Sequence, residues 1–336
     1  MANKQFTMDD IILIEKYFQA DIKTPRIVEI IGKKQPVYDV INFFKAGGNS
    51  REYWQIRKEK QSNCGRKRIE LCAEDEAHIE HLLRQDWTPD VICGRHQLEG
   101  NKPFPLRFPT LYRRIKEGQF NVKLLPMKGK RKANGHKETR GKQAFTRNIA
   151  ERQENHPHVD EEFGHLEGDT IVGVKHKSAV VTLAERISKL IFTVKPDGRR
   201  AIDIQRAIDE LFQDIPRNLI KSIAFDNGKE FPNWKEIANE HDIDIYFCDP
   251  GTPLQRPLNE HSNGLLRRDG LPKEMDFNTV SETFIQSVST KRNLIPRKSL
   301  KYLTPLEVFL EKAFEWAGQQ IDSSSLTKWI ERVFVY

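Results

Sequence analysis

"KSIAFDNGKEF", residues 221–231, runs from an apolar strand pattern into Asp-Asn-Gly, and the reading of that stop decides the fold. Ile223, Ala224 and Phe225 have the character of buried strand residues, and Asp226 follows with no basic residue beside it. Asp-Asn-Gly is good turn chemistry by itself. A carboxylate at the end of a core strand has a second use if other acids in the chain can reach it, so the surrounding elements have to be placed first.

Upstream, "HLEGDTIVGV" (165–174), "SAVVTLAER" (178–186) and "KLIFTVK" (189–195) are three β-rich runs joined by short turns, the spacing of an antiparallel meander. "RRAIDIQRAIDELFQDI" (199–215) is amphipathic at helical period, with Ile202, Ala207, Ile208 and Leu211 toward the core. "LIKSIAFD" (219–226) supplies a fourth strand, "WKEIANEH" (234–241) a helix and "IDIYFCD" (243–249) a fifth strand. Three strands followed by alternating helix and strand predict an α/β core, a mixed five-stranded sheet covered by helices. That order is the order of the ribonuclease H-like fold.

In such an order the first and fourth strands lie side by side, which brings Asp169 of the first near Asp226 of the fourth. Two carboxylates so close repel unless a cation sits between them. Hard oxygen donors suit Mg²⁺ or Mn²⁺. A third acid is available in "PLQRPLNEHSNGLLRRD", with 33 residues between Asp226 and Glu260. Helical spacing puts Glu260, Asn263, Gly264 and Arg267 on one face and Leu258 and Leu265 on another. Asn263 and Arg267 are therefore expected to face a nucleic-acid backbone beside Glu260. Each acid alone has an ordinary structural explanation; the three in this order point to a metal site.

The first half reads as two small helical units. "MDDIILIEKYFQ" (8–19) has Ile11, Ile14 and Phe18 at helical spacing, and "TPRIVEIIG" follows with Thr24 as expected cap and Pro25 in the first turn. A third helix is expected at about 36–46. The pattern then repeats in "EDEAHIEHLLRQD" (74–86), in Thr88-Pro89 and in "TLYRRIKEG" (110–118), whose Arg113, Arg114 and Lys116 suit a phosphate-lined groove. Three short helices with a tight turn make the helix-turn-helix pattern. The expected organisation is a helix-turn-helix unit at 1–50, a linker at 51–72, a second unit at 73–118, a basic linker at 119–160 that includes Lys130 and Arg131, the core at 161–313 and a tail at 314–336.

Charge agrees with this division. The 336 residues carry a net +7, yet residues 101–150 alone hold 14 Lys/Arg against 2 Asp/Glu. A basic segment between near-neutral regions suggests a phosphate-rich partner. No apolar run is long enough for a membrane span. The four cysteines, Cys64, Cys72, Cys93 and Cys248, form no C-x-x-C pair, which argues against a zinc ribbon or disulfide framework, and the expected compartment is the cytoplasm.

Residues 164–309 resemble the catalytic core of bacterial insertion-sequence transposases of the DDE type, in the retroviral-integrase-like superfamily, and specifically the insertion-sequence-thirty family. The resemblance rests on "GHLEGDTIVG", "SAVVTLAER", "IAFDNGKEF", "YFCDPGTPLQRPLNEHSNGLLRR", "LPKEMDF" and "RKSLKYLTPLEVF". The repeated helical units and basic linker match that family's layout too. The resemblance implies that Asp169, Asp226 and Glu260 form an acidic triad holding two divalent ions, Mg²⁺ or Mn²⁺. It further implies double-stranded DNA, both element ends and target, as substrate, and a homo-oligomer in the synaptic complex. Three positions depart from the family pattern: Leu166 where Trp is usual, Pro257 where Gly is usual, and His261 where Asn is common. The alternatives are a DNA-binding relic or regulator without chemistry, favoured by Pro257, and a structure-selective nuclease using only water.

Overall fold

The computed structural model describes residues 6–32, 34–63, 68–100, 104–125, 146–226, 231–249, 252, 255–319 and 323–334. They divide into two compact units, residues 1–70 and 71–336.

The first unit holds four helices: α1 (Met8–Gln19), α2 (Thr24–Ile31), α3 (Lys34–Lys45) and α4 (Ser50–Ser62). Phe6, Ile11, Ile14, Ile27, Val37, Val40, Ile41 and Phe44 close its core. Thr7 and Asp10 form a reciprocal capping box at the start of α1. Thr24 does not cap as expected: it is already inside α2, after Lys23, and no side chain caps that end. The expected linker at 51–72 is largely α4, started by a capping box between Asn49 and Glu52.

The second unit begins with α5 (Ala73–Arg84), α6 (Pro89–Leu98) and α7 (Phe108–Lys116), packed around Ile79, Leu83, Ile92, Leu106, Leu111 and Ile115. Here Thr88 does cap, accepting from the Val91 amide. This helical trio is docked on the core that follows. Arg95 binds both carboxylate oxygens of Glu307 at 2.7 Å, and Lys291 pairs with Asp86. Gly94 is obligatory at this contact, because a Cβ there would lie 2.2 Å from the Tyr302 ring.

The expected basic linker ends in structure. α8 (Ile149–Asn155) lies against the sheet, with Arg147 paired to Asp244 and the buried Arg152 donating to Ser222 Oγ at 2.9 Å. Lys130 and Arg131 lie outside the described residues.

The sheet contains β1 (His165–Val172), β2 (Ala179–Glu185), β3 (Ile191–Val194), β4 (Ser222–Phe225) and β5 (Asp244–Phe247), in the order β3-β2-β1-β4-β5. β1, β2 and β3 pair antiparallel, while β4 runs parallel to β1 and to β5. This is the ribonuclease H-like arrangement expected from the sequence. Alternation along the strands separates two apolar layers. Leu166, Val181, Leu183, Ile223 and Phe225 meet α9 (Ala201–Phe212) and α10 (Trp234–His241), whereas Ile171, Val180 and Ile191 meet α11 (Pro257–Asp269) and α12 (Glu282–Asn293). The tail belongs to the first layer. α13 (Pro305–Gln319) and α14 (Ser323–Val333) bring Phe309, Leu326 and Trp329 into it, and the Trp329 indole donates to Leu211 O at 3.0 Å. No described helix is long and apolar enough to cross a membrane.

Candidate active site

The register of the central strands sets the site. His165 pairs with Ser222, Leu166 with Ile223 and Glu167 with Ala224. Carried two residues further, the same register puts Asp169 level with Asp226. Gly168 is required just before Asp169, since a Cβ would fall 2.3 Å from the Phe225 ring. Glycine lets β1 and β4 keep that large ring between them without displacing either carboxylate.

The cation between these carboxylates is one the sequence reading did not anticipate. Arg256, which is buried, has Nη1 3.7 Å from Asp169 Oδ2 and Nη2 3.9 Å from Asp226 Oδ2. Nη1 also donates to Gly168 O at 2.7 Å. Burial works to lower the Arg256 pKa, but the charges of Asp169 and Asp226 outweigh it, so the guanidinium is held more firmly protonated than usual.

α11 follows directly. Pro257 is its first residue, where a missing amide N–H leaves no helical hydrogen bond unmade. The departure at 257 is thus compatible with a regular helix. Glu260 stands exposed in its first turn. What fixes that turn is Glu167, a buried carboxylate two residues before Asp169 and therefore on the same strand face. Glu167 Oε2 accepts from the Asn259 amide at 2.9 Å, and Oε1 accepts from Arg186 Nη1 at 3.0 Å. An acid at a helix start also meets the favourable end of the helix dipole. Burial raises the Glu167 pKa, opposed by the Asn259 amide, Arg186 and Arg152.

The face of α11 turned to the sheet is largely polar. Asn259 Nδ2 donates to Glu167 O at 2.7 Å and to Thr182 O at 3.2 Å. Asn263 donates to Asp169 Oδ2 at 3.1 Å and accepts from Thr182 Oγ1 at 2.8 Å. Asp169 Oδ1 accepts from the Thr170 amide at 2.8 Å. Further along, Arg267 Nη2 donates to Val172 O at 2.7 Å. Asn263 therefore orients a carboxylate, and Arg267 ties the helix to the end of β1. The outward, DNA-facing role expected for these two is not the one their hydrogen bonds serve.

In the second helical unit, the predicted cations separate. Arg113 and Lys116 are exposed, but Arg114 is buried beside Leu111 and Ile115, with Nη1 3.5 Å from Gln119 Oε1. Positions 111, 114 and 115 form the inward stripe of α7, which removes Arg114 from its open face.

Among the described residues, one group of His and acidic side chains is compact enough to share an ion: His156, Glu162 and His165, with ligand atoms within 4.8 Å of one another. It lies at the start of β1, four residues before Asp169. Three of its ring nitrogens are already engaged, His156 Nε2 with Asp244, and both of His165 with Ser222 and Glu162. We read it as a hydrogen-bonded bracket for α8 and the strand starts.

The chain thus presents a ribonuclease H-like sheet whose central strands set Asp169 level with Asp226, with Glu260 in the first turn of the helix packed on that face. No family model matches it. Curated relatives do. The transposase for insertion sequence element IS4351 of Bacteroides fragilis is 33% identical, over 91% of this chain and 96% of the relative. Transposase InsI for insertion sequence element IS30A of Escherichia coli is 28% identical, over 77% of this chain and 71% of the relative. The transposase for IS1086 of Cupriavidus metallidurans is 27% identical, over 69% and 71%. The chain belongs to this family of insertion-sequence transposases.

Proposed function

We propose that this protein is a DDE transposase that binds the terminal inverted repeats of a mobile element, cuts DNA strands there and joins them to a target. The observation that carries this reading is the shared register of Asp169 and Asp226 around the buried Arg256, with Glu260 four residues beyond that arginine. Asp169, Asp226 and Glu260 are the residues that would hold two divalent ions, all hard oxygen donors suited to Mg²⁺ or Mn²⁺. Bound there, the ions would supply a Lewis acid for the attacking water or 3′-hydroxyl and for the leaving oxygen. The protein's own part is positional. Asn263 fixes the Asp169 carboxylate, Glu167 fixes the first turn of α11, and Arg256 compensates the two aspartates in the ion-free protein. Arg113 and Lys116, with Lys130 and Arg131, are proposed phosphate contacts, and assembly of two element ends would require more than one copy.

The test is strand cleavage and joining on element-end DNA with Mg²⁺ or Mn²⁺, comparing wild type with Asp226→Asn. The expected result is that both reactions vanish in the variant while duplex binding persists. Tight binding without cleavage by the wild type, on correct ends and in both metals, would overturn the catalytic reading.

A further inference from the structure

The start of α11 is held from a second side. Glu167 grips its first turn from β1, and the connection that enters it from β5 is closed by a side-chain clasp. Asp249 lies two residues beyond the end of β5, and Gln255 two residues before the start of α11. The Asp249 amide donates to Gln255 Oε1 at 2.7 Å, and Gln255 Nε2 donates back to Asp249 Oδ2 at 3.1 Å. The backbone follows the same closure: the Thr252 amide donates to Asp249 O at 3.3 Å and the Gln255 amide to Thr252 O at 3.0 Å. Arg256 comes directly after Gln255, and its carbonyl accepts from the Glu260 amide at 3.2 Å.

The other oxygen of Asp249 faces the N-terminal half of the chain. Oδ1 accepts from Asn148 Nδ2 at 3.1 Å. Asn148 is itself built in, as the cap of α8: its Oδ1 accepts from the Ala150 amide at 2.9 Å, and its own amide donates to Glu151 Oε1 at 2.9 Å. It also bridges to Phe247, whose amide donates to Arg147 O at 2.8 Å, so residues 147 and 148 are laid on the edge of β5. Arg147 adds hydrogen bonds to Asp244 and to the Tyr246 hydroxyl. Both residues fall in 101–150, the segment that carries the charge excess. That segment therefore joins the core on the connection that delivers Glu260.

We infer that Asn148, Asp249 and Gln255 are positioning residues, which set where Arg256 and Glu260 stand relative to Asp169 and Asp226. The inference rests on the reading of the three acids as the metal-holding set. A helix start pinned at one point still swings about it; Glu167 supplies one point at Asn259, and the clasp supplies a second just before Arg256. The three residues act through α11 and not on the DNA. Outer hydrogen-bond partners of this kind change metal affinity or activity by about 10–100-fold when they are removed.

The bond between residues 148 and 249 can be reversed. Asn148→Asp keeps an oxygen to cap α8, and aspartate caps as well as asparagine, but it sets a second acceptor against Asp249. Asp249→Asn alone sets an amide NH₂ against Asn148 Nδ2. The two substitutions together restore one donor and one acceptor at the original total charge, with an oxygen still facing Gln255. The full chain is followed by thermal unfolding as Mg²⁺ is titrated, and by single-turnover cleavage of element-end DNA at saturating Mg²⁺, with duplex affinity in EDTA as control. Each single variant is expected to need about tenfold more Mg²⁺ for half of its stabilisation and to cleave about tenfold more slowly, with duplex affinity unchanged, and the double variant to recover both. A lower melting temperature in EDTA with an unmoved Mg²⁺ midpoint and a normal cleavage rate would make the clasp a structural brace and overturn the inference. A double variant no better than the single ones would also overturn it. A Mg²⁺ midpoint displaced in the single variants and restored in the double, with no cleavage by any of the proteins, would uphold the clasp and count against the catalytic reading alone. A wild type indifferent to Mg²⁺ in both readouts would remove the metal site and the inference with it.

Discussion

Arg256 is the residue on which the proposed acidic site balances. It compensates Asp169 and Asp226 across 3.7 and 3.9 Å. Removing one partner of a buried ion pair is destabilising because the other charge loses compensation. Arg256→Gln should therefore destabilise the ion-free protein by about 3 kcal/mol, because the two aspartates lose the cation they share. Mg²⁺ should restore much of that loss, since a cation binding only the folded state stabilises it by mass action. The check is thermal unfolding of wild type and variant in EDTA and in millimolar Mg²⁺. An equal Mg²⁺ shift in both proteins would mean that the arginine and the ion do not serve the same carboxylates.

At the scale of elements, the strands and most helices were legible because their apolar residues recur at the periods the structure uses. α10 spans the residues expected of it, and β1 begins at the expected His165. Legibility failed where the packed face is polar. The inward stripe of α11 is Asn259, Ser262, Asn263 and Leu266, so a search for apolar periodicity assigns Asn263 outward. α4 was missed for its low hydropathy, although Asn49 and Glu52 carry a capping signature. Arg256 left no pattern at all, because its role depends on two strands distant in sequence. Glu167 was discoverable, since a period of two sets it on the same face as Asp169.

The bracket at the start of β1 gives this layer a pH dependence. His165 is buried, and burial first, then the charges of Arg152 and His156, lower its pKa to about 4 against the opposing Glu162. Between the usual histidine range near 6.5 and about 4, the unfolded chain binds a proton that the folded chain does not. Stability from this residue is thus present above that window and lost as pH falls through it. Wild type should lose about 2 kcal/mol more than His165→Gln between pH 7 and pH 5, measured by urea unfolding at both pH values. Parallel losses in the two proteins would place the acid sensitivity elsewhere.

For the whole molecule, two units with separate cores carry two sets of helices, and the charge excess is concentrated in residues 101–150. Affinity for a duplex should then come from many phosphate contacts distributed over both units, each releasing counterions. Exposure decides which cations take part. Arg113 and Lys116 are open on α7, whereas Arg114 lies in the inward stripe between Leu111 and Ile115. Neutralising Arg113 and Lys116 together should reduce the slope of log affinity against log salt by about 2, with little change in melting temperature. Arg114→Gln should do the reverse, lowering the melting temperature by disturbing a buried contact while leaving the salt slope in place. Duplex titrations across a series of salt concentrations, with unfolding scans on the same variants, separate the two. A slope unchanged by the double substitution would take the open face of α7 out of the DNA interface and shift the weight to the first unit and the basic segment that includes Lys130 and Arg131.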